Sequence, residues 1–123
     1  MFFNHRSVDW YWRHYLTDPA HGREPYVSPL RAPSLRDLPP ALVITAEYDP
    51  LRDEGESYAE RLSAEGVGAR TSRYDGMIHG FFAMRGVLDP ASDALDEAAA
   101  FLRAHLTPPP PQPGATDAAE VPA

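Results

Sequence analysis

Two polar residues each follow a stretch of sequence that is typical of a β-strand. Asp49 comes shortly after the apolar, β-branched run 41–46, and His79 comes shortly after the segment 67–74. A carboxylate that accepts a hydrogen bond from an imidazole orients the ring and stabilises its protonated form during general-base catalysis. Asp49 and His79 are therefore candidates for an acid–histidine pair.

Each candidate also has an ordinary structural explanation. Pro50 restricts Asp49 to an extended or turn conformation, and Asp-Pro at a strand end is more often a plain turn than a catalytic group. Asp53 and Glu54 lie where a helix is predicted to begin, and carboxylates interact favourably with that end of the helix dipole. A single loop histidine such as His79 has equally common structural uses. The residue pattern alone therefore leaves both interpretations of the pair open.

The elements around these residues predict a βαβ unit. They are a strand over 41–46 that is buried on both faces, a helix over 53–65 that Gly66 ends, and a strand over 67–74 near the sheet edge. Such a unit requires two parallel strands with a right-handed crossover. Because the carboxyl ends of parallel strands meet at one edge of the sheet, Asp49 and His79 are expected to lie close together.

The remaining sequence predicts two further helices and two irregular segments. They are an amphipathic helix over 7–16 capped by Ser7, a proline-rich loop over 17–40, a helix over 90–106 and a disordered tail over 107–123. Trp10, in the aromatic cluster of the first helix, either packs against other parts of the protein or forms a wall of a substrate pocket. One βαβ unit and two helices cannot cover both faces of a parallel sheet, so the fold is predicted to be incomplete as a domain.

Composition excludes several functional classes. The formal net charge of −7 argues against a nucleic-acid partner, whose phosphates would be repelled. No apolar run is long enough for a transmembrane span. The absence of cysteine excludes disulfides, thiolate metal sites and a cysteine nucleophile. The first residues lack the pattern of a secretory signal, and the absence of cysteine fits the expectation of a cytoplasmic protein.

Two motifs resemble the hormone-sensitive-lipase-like family of α/β-hydrolase esterases. They are Asp49-Pro50-Leu51-Arg52-Asp53-Glu54-Gly55 within 38–55 and His79-Gly80-Phe81 within 74–81, with upstream similarity over 10–16 and 25–30. The resemblance covers nearly the whole chain, from about 8 to 106, and the order and spacing of the motifs are highly specific. It implies the C-terminal part of an α/β-hydrolase fold, belonging to a serine carboxylesterase or lipase that needs no metal or organic cofactor.

The resemblance also assigns residues and segments. Asp49 matches the triad acid and His79 the triad histidine. Phe81, Phe82 and Met84 could line an acyl pocket, although core packing also explains them. The implied segments are a cap-proximal helix and loop over 1–40, the C-terminal part of the hydrolase core over 41–106, and the tail over 107–123.

The chain departs from the family at the nucleophile and the oxyanion hole. None of the seven serines (7, 28, 34, 57, 63, 72 and 92) lies in a Gly-x-Ser-x-Gly nucleophile elbow, and no His-Gly-Gly-Gly motif is present. We therefore expect the 123 residues alone to be inactive. A small-molecule ester would bind only in the complete domain, formed by association with an N-terminal hydrolase half. The alternative is a non-catalytic remnant or association module of a truncated or split gene.

Overall fold

The computed structural model describes residues 3–106, which form three α-helices and a two-stranded parallel sheet. In chain order the elements are α1 (His5–Tyr15), β1 (Ala41–Tyr48), α2 (Arg52–Ala64), β2 (Ala69–Ile78) and α3 (Asp89–Leu106). Three short 3₁₀ helices cover Pro19–Arg23, Pro29–Arg31 and Phe81–Ala83. The predicted βαβ unit is confirmed, whereas the predicted tail over 107–123 lies outside the described residues.

The first helix begins earlier than the sequence pattern predicts. The side-chain oxygen of Asn4 accepts hydrogen bonds from the backbone N–H groups of Arg6 (3.0 Å) and Ser7 (3.2 Å). Asparagine is a favourable N-cap because its short side chain reaches these otherwise unpaired donors. The expectation that Ser7 caps the helix is therefore wrong, and Ser7 lies inside the first turn.

The sheet lies between α2 and α3. Val43 and Thr45 point towards α2, where a Cβ atom added to Gly55 would lie 3.4 Å from the Thr45 methyl group. Ala46, on the opposite face, belongs to a buried cluster with Ala94 of α3. Because alternate residues of a strand face opposite sides, the two helices cover opposite faces of β1. Only Thr45 and Ala46 of the strand are buried, so the expected burial on both faces holds for these two residues alone.

The long loop before β1 is held against α2 by two side chains. Arg61 donates to the Leu30 carbonyl at 2.7 Å and also to the Ala32 carbonyl. Glu65 accepts hydrogen bonds from the backbone N–H of Leu35 at 2.6 Å and from the hydroxyl of Ser34 at 2.9 Å. The loop over 17–40 therefore contains 3₁₀ turns and is anchored by charged side chains from α2 and its C-cap, whereas its sequence predicts only irregular structure.

Candidate active site

Asp49 and His79 meet at the carboxyl edge of the sheet. His79 Nδ1 lies 2.8 Å from Asp49 Oδ2, and the second carboxylate oxygen, Oδ1, accepts a 2.8 Å hydrogen bond from the backbone N–H of Leu51. The Asp49 side chain is 13% exposed and that of His79 is 37% exposed. Both carboxylate oxygens are thus held in place, while the imidazole keeps one open side.

This geometry determines which nitrogen of the imidazole carries the proton. An ionised carboxylate only accepts hydrogen bonds, so His79 Nδ1 must be the donor to Asp49. In the neutral ring Nε2 then carries the free lone pair. A histidine held in this tautomer can take a proton at Nε2 while the carboxylate stabilises the resulting imidazolium.

His79 lines an open cleft of about 1020 Å³ together with residues that precede or belong to α1. The other lining residues are Phe3, Asn4, Arg6, Ser7, Trp10 and Tyr11. The Phe3 ring stacks on the His79 imidazole, with centroids 4.1 Å apart and planes 23° from parallel. Of the residues predicted to bind substrate, Trp10 is the one that lies in the same cleft as the histidine.

The three other predicted substrate-binding residues lie elsewhere. Phe81 is 4% exposed and packs in the core with Ala46 and Ala91, as the packing explanation for it predicts. Phe82 and Met84 are partly exposed, but neither lines the cleft that contains His79.

Ser7 is the serine that shares the cleft with His79. It lies in the first turn of α1. Among the described residues 3–106, the Ser7 hydroxyl makes no hydrogen bond to the His79 imidazole. A serine nucleophile requires such a contact with its base and a tight strand-to-helix turn. Ser7 has neither.

Neither a metal-binding cluster nor a membrane-spanning helix is present in the described part of the chain. Between residues 3 and 106, no group of three His, Cys, Asp or Glu side chains could hold a metal ion. No helix in that range combines the length and the apolar character that crossing a bilayer requires.

The sequence profile of the family described as the alpha/beta hydrolase fold matches residues 1–83. This chain belongs to that family. LipN, a carboxylic ester hydrolase of Mycobacterium tuberculosis, is 41% identical over 106 residues, which are 83% of this chain and 27% of LipN. An arylesterase of Saccharolobus solfataricus is 47% identical over 74 residues, which are 60% of this chain and 24% of that enzyme.

Solved α/β-hydrolase structures agree with the sequence relatives. A thermostable carboxylesterase cloned from a metagenomic library superposes with a TM-score of 0.81 and 48% identity, over 84% of this chain and 35% of that one. A thermostable esterase of Pseudomonas putida gives a TM-score of 0.81 and 42% identity, over 88% of this chain and 35% of that one. This α/β-hydrolase chain thus spans about a third of these structures and about a quarter of the two sequence relatives, and the described elements are part of their fold.

Sequence reasoning missed the charged groups that hold this part of the α/β-hydrolase fold together. Glu56 of α2 accepts hydrogen bonds from Thr45 at 2.9 Å and from two nitrogens of Arg73, one of them at 2.8 Å. The Arg73 guanidinium holds the pKa of Glu56 far below its ordinary value, at about 2. At the strand end, Glu47 accepts a hydrogen bond from the backbone N–H of Gly76, and Arg52 donates to the Glu47 carbonyl.

Proposed function

We propose that this chain supplies the acid and the histidine of a serine carboxylic-ester hydrolase. In this proposal Asp49 orients His79, and Nε2 of His79 acts first as general base towards a serine and then as general acid towards the leaving alcohol. The observation that carries the proposal is the 2.8 Å hydrogen bond between Asp49 and His79 Nδ1 at the sheet edge. The ester-hydrolase names of the relatives support the reaction class.

The serine and the oxyanion donors would come from residues that this chain does not contain. In α/β-hydrolases the chain order is serine, then acid, then histidine, and the nucleophile elbow is Gly-x-Ser-x-Gly. None of the seven serines here fits that motif. We refer to the missing part as the serine-bearing segment, whether it is joined covalently or binds as a second polypeptide.

A chimeric enzyme tests this proposal. The part of the metagenomic carboxylesterase that lies before its match to this chain, joined to residues 1–123, should hydrolyse p-nitrophenyl butyrate. Asp49→Asn or His79→Ala in the chimera should lower kcat/KM by about 10³–10⁴-fold, because the histidine loses its orienting partner or the base itself is removed. Circular dichroism checks that each variant retains the fold of the unsubstituted chimera.

Matched controls distinguish the loss of the Asp49–His79 pair from the loss of any other carboxylate or imidazole. Glu60→Gln removes an exposed carboxylate of α2, and His105→Ala removes an exposed imidazole of α3, so both should keep full activity. The 123-residue chain alone should give only background hydrolysis, and Ser7→Ala should leave that background unchanged. Turnover by the lone chain that disappears in Ser7→Ala would contradict the proposed origin of the nucleophile.

A further inference from the structure

The register of the sheet changes just before the candidate site. Ala46 pairs with Tyr74, and the next pair along the ladder is Tyr48 with Ile78. Between these two pairs β1 advances by two residues and β2 by four. Two additional residues of β2 are therefore accommodated in a β-bulge within 75–77.

The bulge brings the acid and the histidine to the same level of the sheet. Each is the first residue after the pair Tyr48–Ile78, since Asp49 follows one strand and His79 follows the other. In a regular ladder Tyr48 would pair with Gly76, and His79 would lie two residues beyond Asp49. At about 3.3 Å per residue, that offset is about 6.6 Å, more than twice the length of a hydrogen bond.

Glu47 contacts the bulged strand through its side chain and the start of α2 through its main chain. Its Oε2 atom accepts a 2.7 Å hydrogen bond from the backbone N–H of Gly76, which has a φ of +75°. Its carbonyl oxygen accepts a 2.9 Å hydrogen bond from Arg52 Nη1 at the start of α2. The carboxylate thus satisfies an N–H group inside the bulge, and the guanidinium fixes the peptide from which that carboxylate extends.

We propose that Glu47 is a positioning residue for the Asp49–His79 pair. By binding the Gly76 N–H, it stabilises the bulged register over the regular one, and only the bulged register places His79 Nδ1 within reach of Asp49. The catalytic meaning of this inference rests on the proposed function. The hydrogen bond itself exists in the 123-residue chain and is measurable without turnover.

The test is the tautomer of His79 in the full chain, measured by NMR with ¹⁵N-labelled histidine. At about pH 8.5, where histidines are ordinarily neutral, the two ring ¹⁵N shifts of His79 report which nitrogen carries the proton. The wild-type chain should show mainly the Nδ1–H form. Glu47→Ala removes the acceptor, and the side chain in Glu47→Asp is too short to reach Gly76. In both variants the Nδ1–H tautomer should no longer be the main form of His79. Glu47→Gln keeps an acceptor oxygen, so the Nδ1–H tautomer should again be the main form.

Controls exclude a purely structural explanation. Glu60→Ala should leave the His79 tautomer unchanged, and amide spectra should show that each variant is folded. A folded Glu47→Ala chain that keeps the Nδ1–H form would overturn the inference. Unfolding of both the Ala and the Asp variants, with the Glu60 variant folded, would overturn it too, in favour of a general stabilising role.

The chimera adds a kinetic measurement that separates the two proposals. There Glu47→Ala should lower kcat at least tenfold with KM within twofold of wild type, because the pair acts on the transition state and not on substrate binding. An inactive wild-type chimera would contradict the proposed function but would leave the tautomer result intact. An active chimera in which Glu47→Ala keeps full kcat would contradict the positioning role.

Discussion

The Glu56 carboxylate connects α2 to both strands, because it binds one side chain from each strand. It extends from α2 and binds Thr45 of β1 and Arg73 of β2. Mainly because of the hydrogen bonds from Arg73, the pKa of Glu56 falls from an ordinary value of 4.5 to about 2. A carboxylate whose pKa is lower in the folded protein than in the unfolded chain stabilises the folded protein at any pH above the unfolded-state pKa. This stabilisation is lost as the pH falls towards the folded-state pKa.

From this we predict a pH-dependent effect of Glu56→Gln. The variant should have a lower free energy of unfolding than the wild type at pH 7, and the difference should shrink as the pH falls from 4.5 towards 2. Urea unfolding at a series of pH values measures both quantities. Glu60→Gln, on the exposed side of the same helix, should show no such convergence. If the difference in free energy of unfolding between wild type and Glu56→Gln stayed constant over this pH range, the lowered pKa of Glu56 would be refuted.

Some side-chain partners were predictable from the sequence and others were not. Asp49 and His79 follow predicted parallel strands, so topology placed them at the same edge of the sheet, but their direct contact depends on the bulge. The contact of Glu47 with Gly76 depends on a bulge, and strand periodicity does not reveal where a ladder changes register. The one local signal was Gly76 itself, because a glycine inside a strand pattern often marks a bulge.

The end of α2 shows how a local pattern determines an element boundary. Gly66 has a φ of +88°, its N–H donates to the Ser63 carbonyl, and the next N–H, of Val67, donates to Leu62. These two bonds and the contact between Val67 and Leu62 in the core form a Schellman motif. The predicted stop at Gly66 was correct because the motif needs only a few consecutive residues, whereas α1 began earlier than predicted because Asn4 is the better placed cap.

The Schellman motif leads to a prediction with a control two residues away. Gly66→Ala should lower the free energy of unfolding by about 1 kcal/mol, because the left-handed conformation is strained for a residue with a Cβ atom. No atom lies within 4 Å of the added Cβ at either Gly66 or Gly68, but only Gly66 has a positive φ. Gly68→Ala should therefore be neutral or slightly stabilising in the same urea titration. Equal destabilisation by both substitutions would show that backbone strain is not the cause.

The rest of the described chain covers little of α1. None of its residues is buried, and Trp10 (55%), Tyr11 (58%) and Tyr15 (69%) are largely exposed. Within the described residues β1 pairs only with β2, so its other edge has no strand partner there. Aromatic side chains clustered at such density are typical of a contact surface. This chain covers 35% of the matched metagenomic carboxylesterase, so we expect the rest of such a fold to pack on this surface.

We therefore predict that the serine-bearing segment covers the aromatic side chains of α1. The two tryptophans of the chain, Trp10 and Trp12, both lie on this helix, so 5-fluorotryptophan labelling reports on α1 alone. In the lone chain the ¹⁹F signals should show a large shift between H₂O and D₂O, because the indoles are in contact with water. When the labelled chain is mixed with the unlabelled segment from the metagenomic carboxylesterase, that solvent shift should fall by at least half.

The same mixture distinguishes burial by assembly from non-specific association. An unrelated protein at equal concentration should leave the ¹⁹F solvent shift unchanged, and ester hydrolysis should appear in proportion to the fraction of chain whose tryptophans become shielded. Activity without shielding would mean that α1 stays exposed in the working enzyme and that its aromatics serve another contact. Shielding without activity would support an association module and count against catalysis by the Asp49–His79 pair.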